Sequence, residues 1–295
     1  MILKELEKLE AKTAEPRLRP AAGKPVETTG KVTETPSEPE ANEKPVVLKT
    51  TAGLIDSTAF NKLTAAQQRL IISYDNFVGL FPSHERVPEL MYNTGARYFE
   101  LSMYPNARVV YERLLRDHPN SGNWYVKSMS DIVESYRREN NFDSLEVWSE
   151  RLRTDPNAPD SLRIAGERLA SGAIASKATK LSQLAASSGD ISGLVRAAEE
   201  YIRTARTYPK GEFAAVSLRE AGYTYKKAKV FDKAAETWLD LINRYPEITH
   251  ADTMMWESAL AYDALKQYDK ALGVYEQFVS RYPRSGFRVD ALKNS

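Results

Sequence analysis

The sequence predicts an all-α fold, an α-solenoid of stacked helix-turn-helix pairs, and three observations predict it. Proline recurs at 82, 119, 156, 209, 246 and 283, so four of the five intervals are 37 residues and the remaining one is 53. Within the units, rings and small residues return at constant offsets from those prolines. Every Phe, Trp and Tyr of the 295-residue chain lies at or after position 60, which separates a ring-free segment from a ring-rich one. A fixed period in this range marks a stacked architecture, because one helix pair cannot bury its apolar face alone.

Residues 1–50 divide into a short helix and a linker. Ile2, Leu6 and Leu9 share one helical face, while six prolines (16, 20, 25, 36, 39 and 45) stand among Glu, Thr, Lys and Ala. Such a stretch has little apolar surface to offset its ordering entropy, so it reads as an extended tether. A coiled-coil tail is the alternative for the first dozen residues; it needs more heptads than are present.

Residues 51–295 form the solenoid. Residues 57–80 predict one long helix ending at Phe81-Pro82, with Tyr74 in the place that Tyr111 holds one unit later. In three units a tyrosine is followed six residues on by a ring: Tyr98 and Tyr104, Tyr225 and Phe231, Tyr262 and Tyr268. Then come an alanine (Ala107, Ala234, Ala271), a large ring (Tyr111, Trp238, Tyr275) and the closing proline. Apolar positions at helical spacing on either side of a short turn predict two antiparallel helices per unit. Gly95, Gly222 and Ala259 on the first helix let the backbones approach. The unit ending at Pro156 departs from this: Phe142 to Trp148 is one residue short, which predicts a tighter turn or second helix. The 53-residue interval carries its surplus in the Ala- and Ser-rich residues 171–189, and it predicts that both helices of that pair are lengthened and project.

These residues resemble the tetratricopeptide repeat family, whose small-residue, tyrosine and ring positions match. The final unit, residues 261–285 with its closing Tyr282-Pro283-Arg284-Ser285, is similar to the bacterial envelope variety. That variety includes outer-membrane assembly lipoproteins and the Tol–Pal-associated periplasmic protein. The resemblance covers about 240 residues. It implies a right-handed superhelix whose first helices line a concave groove for peptides or partner domains, and a setting in the bacterial periplasm or cell envelope, with the cytoplasm as alternative. The 37-residue period exceeds the family's 34, placing three extra residues in most units.

Composition narrows the function. Forty-one basic against 40 acidic side chains give a net charge of +1 and no general attraction to nucleic acid or anionic lipid. The absence of cysteine excludes disulfides, thiolate metal sites and cysteine nucleophiles, and fits an oxidising compartment. No apolar run approaches the roughly 20 residues needed to cross a bilayer. His84, His118 and His250 each lie within four residues of an inter-repeat proline and form no zinc-ligand pair. Gly23-Lys24 and Gly30-Lys31 lie in the linker, without the strand and helix of a phosphate loop. No carboxylate spacing singles out an acid and a base. The sequence therefore predicts no catalytic residue, no metal and no cofactor.

The resemblance places the groove at Tyr92, Phe99 and Glu100; Arg137 and Arg138; Arg219, Tyr223, Lys226 and Lys227; and Trp256. Rings with two basic pairs suit an acidic, partly apolar segment of another protein. Where the version of the family that grips chaperone C-termini carries asparagine, this chain has Ala96, Glu134, Tyr223 and Leu260, which disfavours such tails. The expected function is a non-catalytic interaction scaffold of an envelope assembly such as outer-membrane assembly, Tol–Pal or motility. The alternative is a superhelix holding glycan or lipid in a pocket at the pair spanning 160–209. After Pro283, residues 285–292 open what reads as another first helix, so the chain is expected to be one piece of a longer array.

Overall fold

The computed structural model describes residues 60–295, and within them it is helical throughout, with no strand. The helix and Pro-rich tether expected over residues 1–50 lie outside the described residues, as do residues 51–59. Twelve helices follow one another among the described residues. Helix α1 (Ala65–Leu80) stands first. Then come the pairs α2 (Val87–Glu100) with α3 (Tyr104–Asp117), and α4 (Asn123–Arg138) with α5 (Phe142–Thr154). The long pair is α6 (Asp160–Ser188) with α7 (Ile191–Thr207). The pairs α8 (Ala214–Lys227) with α9 (Phe231–Arg244), and α10 (Ala251–Ala264) with α11 (Tyr268–Arg281), precede a last short helix, α12 (Arg288–Asn294). Each helix packs on the next, which is the α-solenoid that the period predicts.

The turns inside the pairs are built alike. After α2, α4, α8 and α10 one residue takes a left-handed conformation: Ser102, Asn140, Lys229 and Lys266, with φ between 52 and 60°. The amide that follows donates back to the tyrosine carbonyl five residues earlier, as in Met103 to Tyr98, Asn141 to Tyr136, Val230 to Tyr225 and Gln267 to Tyr262. This is a Schellman cap, and it reverses the chain within three residues. It also explains the constant spacing of six between the tyrosine and the next ring. Between pairs, the residue before proline leaves helical geometry, since proline's ring crowds the α conformation there. The amide two residues after each proline then bonds back across the turn, as in Ser121 to His118, Gly211 to Tyr208, Ile248 to Tyr245 and Ser285 to Tyr282.

Two expectations need correction, at α1 and at the long pair, and a third, at α5, holds. Helix α1 starts at Ala65, and residues 61–63 are turn, because Thr64 and Gln67 form a capping box that begins the helix there. In α5 the short spacing appears as a second helix of 13 residues against 14 in α3, α9 and α11, as expected, and no ring enters the core there. Ser149 occupies the place of Tyr111, Trp238 and Tyr275, seven residues into the helix, and is fully buried, while Trp148 is only half-buried beside it. The opposite partner changes to match: Val133 on α4 stands where the other units have Gly95, Gly222 and Ala259. A large–small contact has been exchanged for a small–large one.

The other correction concerns the long pair. Both helices exceed the usual 14 residues, but unequally: α6 has 29 and α7 has 17. Nor does the surplus simply project. Residues 170–176 of α6 are all buried, and they are small except for Ile174, so α6 is enclosed by α5 on one side and by α7 and α8 on the other. Gly166 allows the closest approach, since a Cβ there would lie 2.8 Å from the backbone of both Ser149 and Arg153. At the tip, Ala185 and Leu194 pack with Ala228 of the next turn, leaving Leu184 and Ile191 exposed. Two large apolar clusters result, one running from Leu63 to Ala173 and the other from Ala175 to Ala291.

Candidate functional site

Helix α2 packs directly on α4, and α6 on α8, first helix against first helix; no two second helices pack as closely among the described residues. The first helices therefore occupy the inner side of the curve, and their outward stripes make the candidate interaction face.

The stripe of α2 and α4 is centred on a carboxylate. Asp131 accepts hydrogen bonds from the hydroxyls of Tyr92 and Tyr111, each at 3.0 Å. The Tyr92 ring lies 5.7 Å from that of Tyr111 and 5.4 Å from that of Trp124, with the Lys127 ammonium 4.8 Å above Trp124. Burial, reinforced by the Asp131 charge, holds the Tyr111 phenol far above its ordinary pKa, so the hydroxyl stays a donor. Phe99 packs edge-on to Tyr104 and carries the Arg138 guanidinium 5.0 Å above its face. Glu100 is exposed and pairs with Arg97 at 2.8 Å.

Arg137 and Arg138 are not an isolated basic pair. Glu134 lies one turn back and accepts from both, at 2.6 and 2.7 Å. Burial would raise the Glu134 carboxyl, but the hydrogen bonds from the two guanidinium groups outweigh it and hold the pKa below the usual range. Lys226 likewise pairs with Glu257 of the neighbouring first helix, and Arg219 with Glu220 at 3.2 Å. Lys227 is exposed. Tyr223 packs edge-on to Trp238 at 5.1 Å. Trp256 stacks nearly parallel on Phe287 at 5.4 Å and touches Tyr275.

The expected residues thus fall into two groups on successive first helices: half-buried rings (Tyr92, Phe99, Tyr223, Trp256) and charges bridged by carboxylates. Trp124, Asp131 and Glu257 belong to this surface and went unread in the sequence. Glu134 was noted only as a replacement for asparagine, although its spacing of three and four to Arg137 and Arg138 signals the bridge. Glu257 has no such local signal, because its pairing depends on how α8 and α10 stack.

The long pair borders a cleft of about 600 Å³ with a mixed lining: Glu146, Glu150, Arg153, Glu167 and Lys210 are charged, Val147 and Pro209 are apolar, and Tyr208 is the one aromatic ring. This is not the dry, ring-lined pocket that holding glycan or lipid would call for. Among the described residues no helix is long and apolar enough to cross a membrane, and no cluster of three or more metal-ligating side chains occurs.

The tetratricopeptide repeat family model matches residues 89–121, 217–247 and 254–285, which are the pairs α2–α3, α8–α9 and α10–α11. These are the units with the small residue on the first helix and the ring on the second; the two unmatched pairs are those with the Val133–Ser149 exchange and the long helix. No curated protein matches the chain. Among solved structures, a thermophilic TPR protein of Thermus thermophilus is similar at 16% identity, covering 72% of this chain and 98% of the other, with a TM-score of 0.28. The TPR2AB domain of yeast Sti1, solved with pHSP90, is 18% identical over 80% of this chain and 94% of that one, with a TM-score of 0.30. The hetero-tetramer Cut9–Hcn1 of the APC/C matches at 14% identity over 77% of this chain and 45% of that chain, again with a TM-score of 0.30. Neither the partners nor the curvature of those proteins carries over at such scores.

Proposed function

From the premise that three of its helix pairs are tetratricopeptide repeats, we propose that the protein is a non-catalytic scaffold that binds other proteins through the inner stripe of its first helices. Tetratricopeptide repeats generally mediate protein–protein interaction. The observation that carries this reading is the recurrence of a half-buried ring on that stripe at Tyr92, Tyr223 and Trp256. Such rings keep part of their surface exposed, and they are held in place by Tyr111, Trp238 and Tyr275 beneath them, so binding orders little that is not already ordered. The carboxylate bridges temper the charge. With Glu134 shared by Arg137 and Arg138, and with Lys227 exposed, the surface favours an apolar segment carrying a few acidic residues over a highly acidic one.

The proposed setting is a bacterial envelope assembly, supported by the closing Tyr282-Pro283-Arg284-Ser285 and the cysteine-free composition. Photo-crosslinking tests the surface. A crosslinker in place of Glu100, Lys227 or Trp256 should capture the partner, whereas one in place of Glu112 or Glu236 on the second helices should not. Equal capture from both faces would sink the inner-stripe reading.

A further inference from the structure

We propose that the junction between the two apolar clusters is an articulation, and that a strap of ionic and hydrogen-bonding contacts from α5 sets its angle. The clusters end at Ala173 and begin again at Ala175, so both halves of the solenoid share α6 and meet within it. At that level α6 presents Ala170, Ser171, Gly172, Ala173, Ala175 and Ser176, with Ile174, packed with Ala170 and Tyr208, the one large side chain; the short side chains interdigitate little with their neighbours. A core of interlocked large side chains resists rotation because each must leave its rotamer well; a surface of methyl and hydroxymethyl groups offers less resistance.

What bridges the halves on the outer side is polar. Asp143, Glu146 and Glu150 are spaced by three and four residues, so they form one stripe along α5. Each is held by a group from the far half. Lys177 of α6 pairs with Asp143. Arg203 of α7 grips Glu146 through both terminal nitrogens, at 2.6 and 2.9 Å. The Tyr208 hydroxyl, at the end of α7, donates to Glu150 at 2.9 Å. Singly, such partly exposed contacts are weak; here all three act on one coordinate, the separation of α5 from α7. The cleft beneath shares Glu146, Glu150 and Tyr208 with the strap, so it widens as the strap lengthens. Two of the contacts join full charges and are accessible to solvent, so salt loosens them: the Debye length falls from about 10 Å at 0.1 M to about 3 Å at 1 M. The relative orientation of the two inner stripes, and with it the spacing between two stretches of a bound partner, therefore responds to ionic strength.

The chain contains no cysteine, so two introduced thiols can be spin-labelled uniquely. A pair at Glu112→Cys on α3 and Glu236→Cys on α9 reports across the junction; a pair at Glu236→Cys and Glu276→Cys reports within one half. By double electron–electron resonance, the cross-junction distance distribution should broaden, or its mean move by several ångström, between low and high salt, while the control pair stays unchanged. Glu146→Gln, Arg203→Gln and the double variant should all show the broad distribution at low salt and to the same extent, since each removes the same contact across the junction and the Arg203–Glu200 pair lies within α7. A cross-junction distance indifferent to salt and to these substitutions would overturn the proposal, as would equal broadening of both label pairs. Should a variant fail to fold, the salt series on the otherwise unaltered chain decides the matter alone.

Discussion

Replacing Gly222 by alanine tests how closely the paired helices approach. A Cβ at Gly222 would lie 2.2 Å from Trp238 Nε1 and 2.5 Å from two ring carbons, against 3.4–4 Å for ordinary contact. The ring cannot yield cheaply, because Trp238 is wholly buried and wedged among the alanines and leucines of its cluster. Overpacking of this kind costs about 1–3 kcal/mol, with a rigid ring at the upper end. Alanine's better helix propensity returns about 1 kcal/mol. The net expectation is a loss of about 2 kcal/mol. Gly273, in the interior of α11, has nothing within 4 Å of where an added Cβ would sit, so the same substitution there should stabilise by about 0.5–1 kcal/mol. Opposite signs from one chemical change isolate the contact from the propensity. Because a solenoid need not unfold in one step, urea midpoints by circular dichroism should be joined by hydrogen exchange of the α8 and α9 amides. If Gly222→Ala proves neutral or stabilising, the inferred backbone approach is wrong.

Three further outcomes follow from the site and the turns. Asp131→Ala leaves the buried Tyr111 hydroxyl without its acceptor and should cost about 1–3 kcal/mol in urea unfolding, with Asp131→Asn, which keeps an acceptor, costing less. Glu134 has a folded-state pKa below its unfolded value, so its stabilising effect is complete above the unfolded value of about 4.3 and disappears as pH falls through the lowered one. The drop in melting temperature over that acid window should shrink in Glu134→Gln; an identical acid profile would refute the assignment. Lys266→Gly, at a left-handed position with φ of 58°, should stabilise by about 1 kcal/mol in the same assay, because glycine bears no steric penalty there.

What could be read from the sequence was whatever repeats locally. The Tyr98–Tyr104 type of spacing encodes a three-residue reversal, and the prolines encode helix ends, so both turns were visible without coordinates. The places where reading failed are those where one residue's partner lies on another element. Trp148 looked like the core ring of its unit, yet helical geometry turns Ser149 inward, and Val133 on α4 fills the space. The Ala- and Ser-rich surplus carried no period to divide it between α6 and α7, so its concentration in α6 became visible only once the enclosing helices were placed. Arg137 and Arg138 are adjacent like charges in sequence, but Glu134 at three and four residues before them already encodes the bridge. Lys226 with Glu257 was beyond reach, since it depends on the offset between two stacked pairs.

The four equivalent Schellman turns bear on how such a chain can be edited. Because each pair reverses internally over three residues with the same back-donated amide, and joins the next pair through the same proline turn, neighbouring pairs meet through equivalent joints. A segment of 37 residues cut between Pro209 and Pro246, or between Pro246 and Pro283, is therefore a cassette that could be duplicated, deleted or exchanged in register, each insertion lengthening the inner stripe by one ring. The pair built on α6 is not interchangeable in this way, because its first helix is fitted to α5 before it as well as to α7 after it.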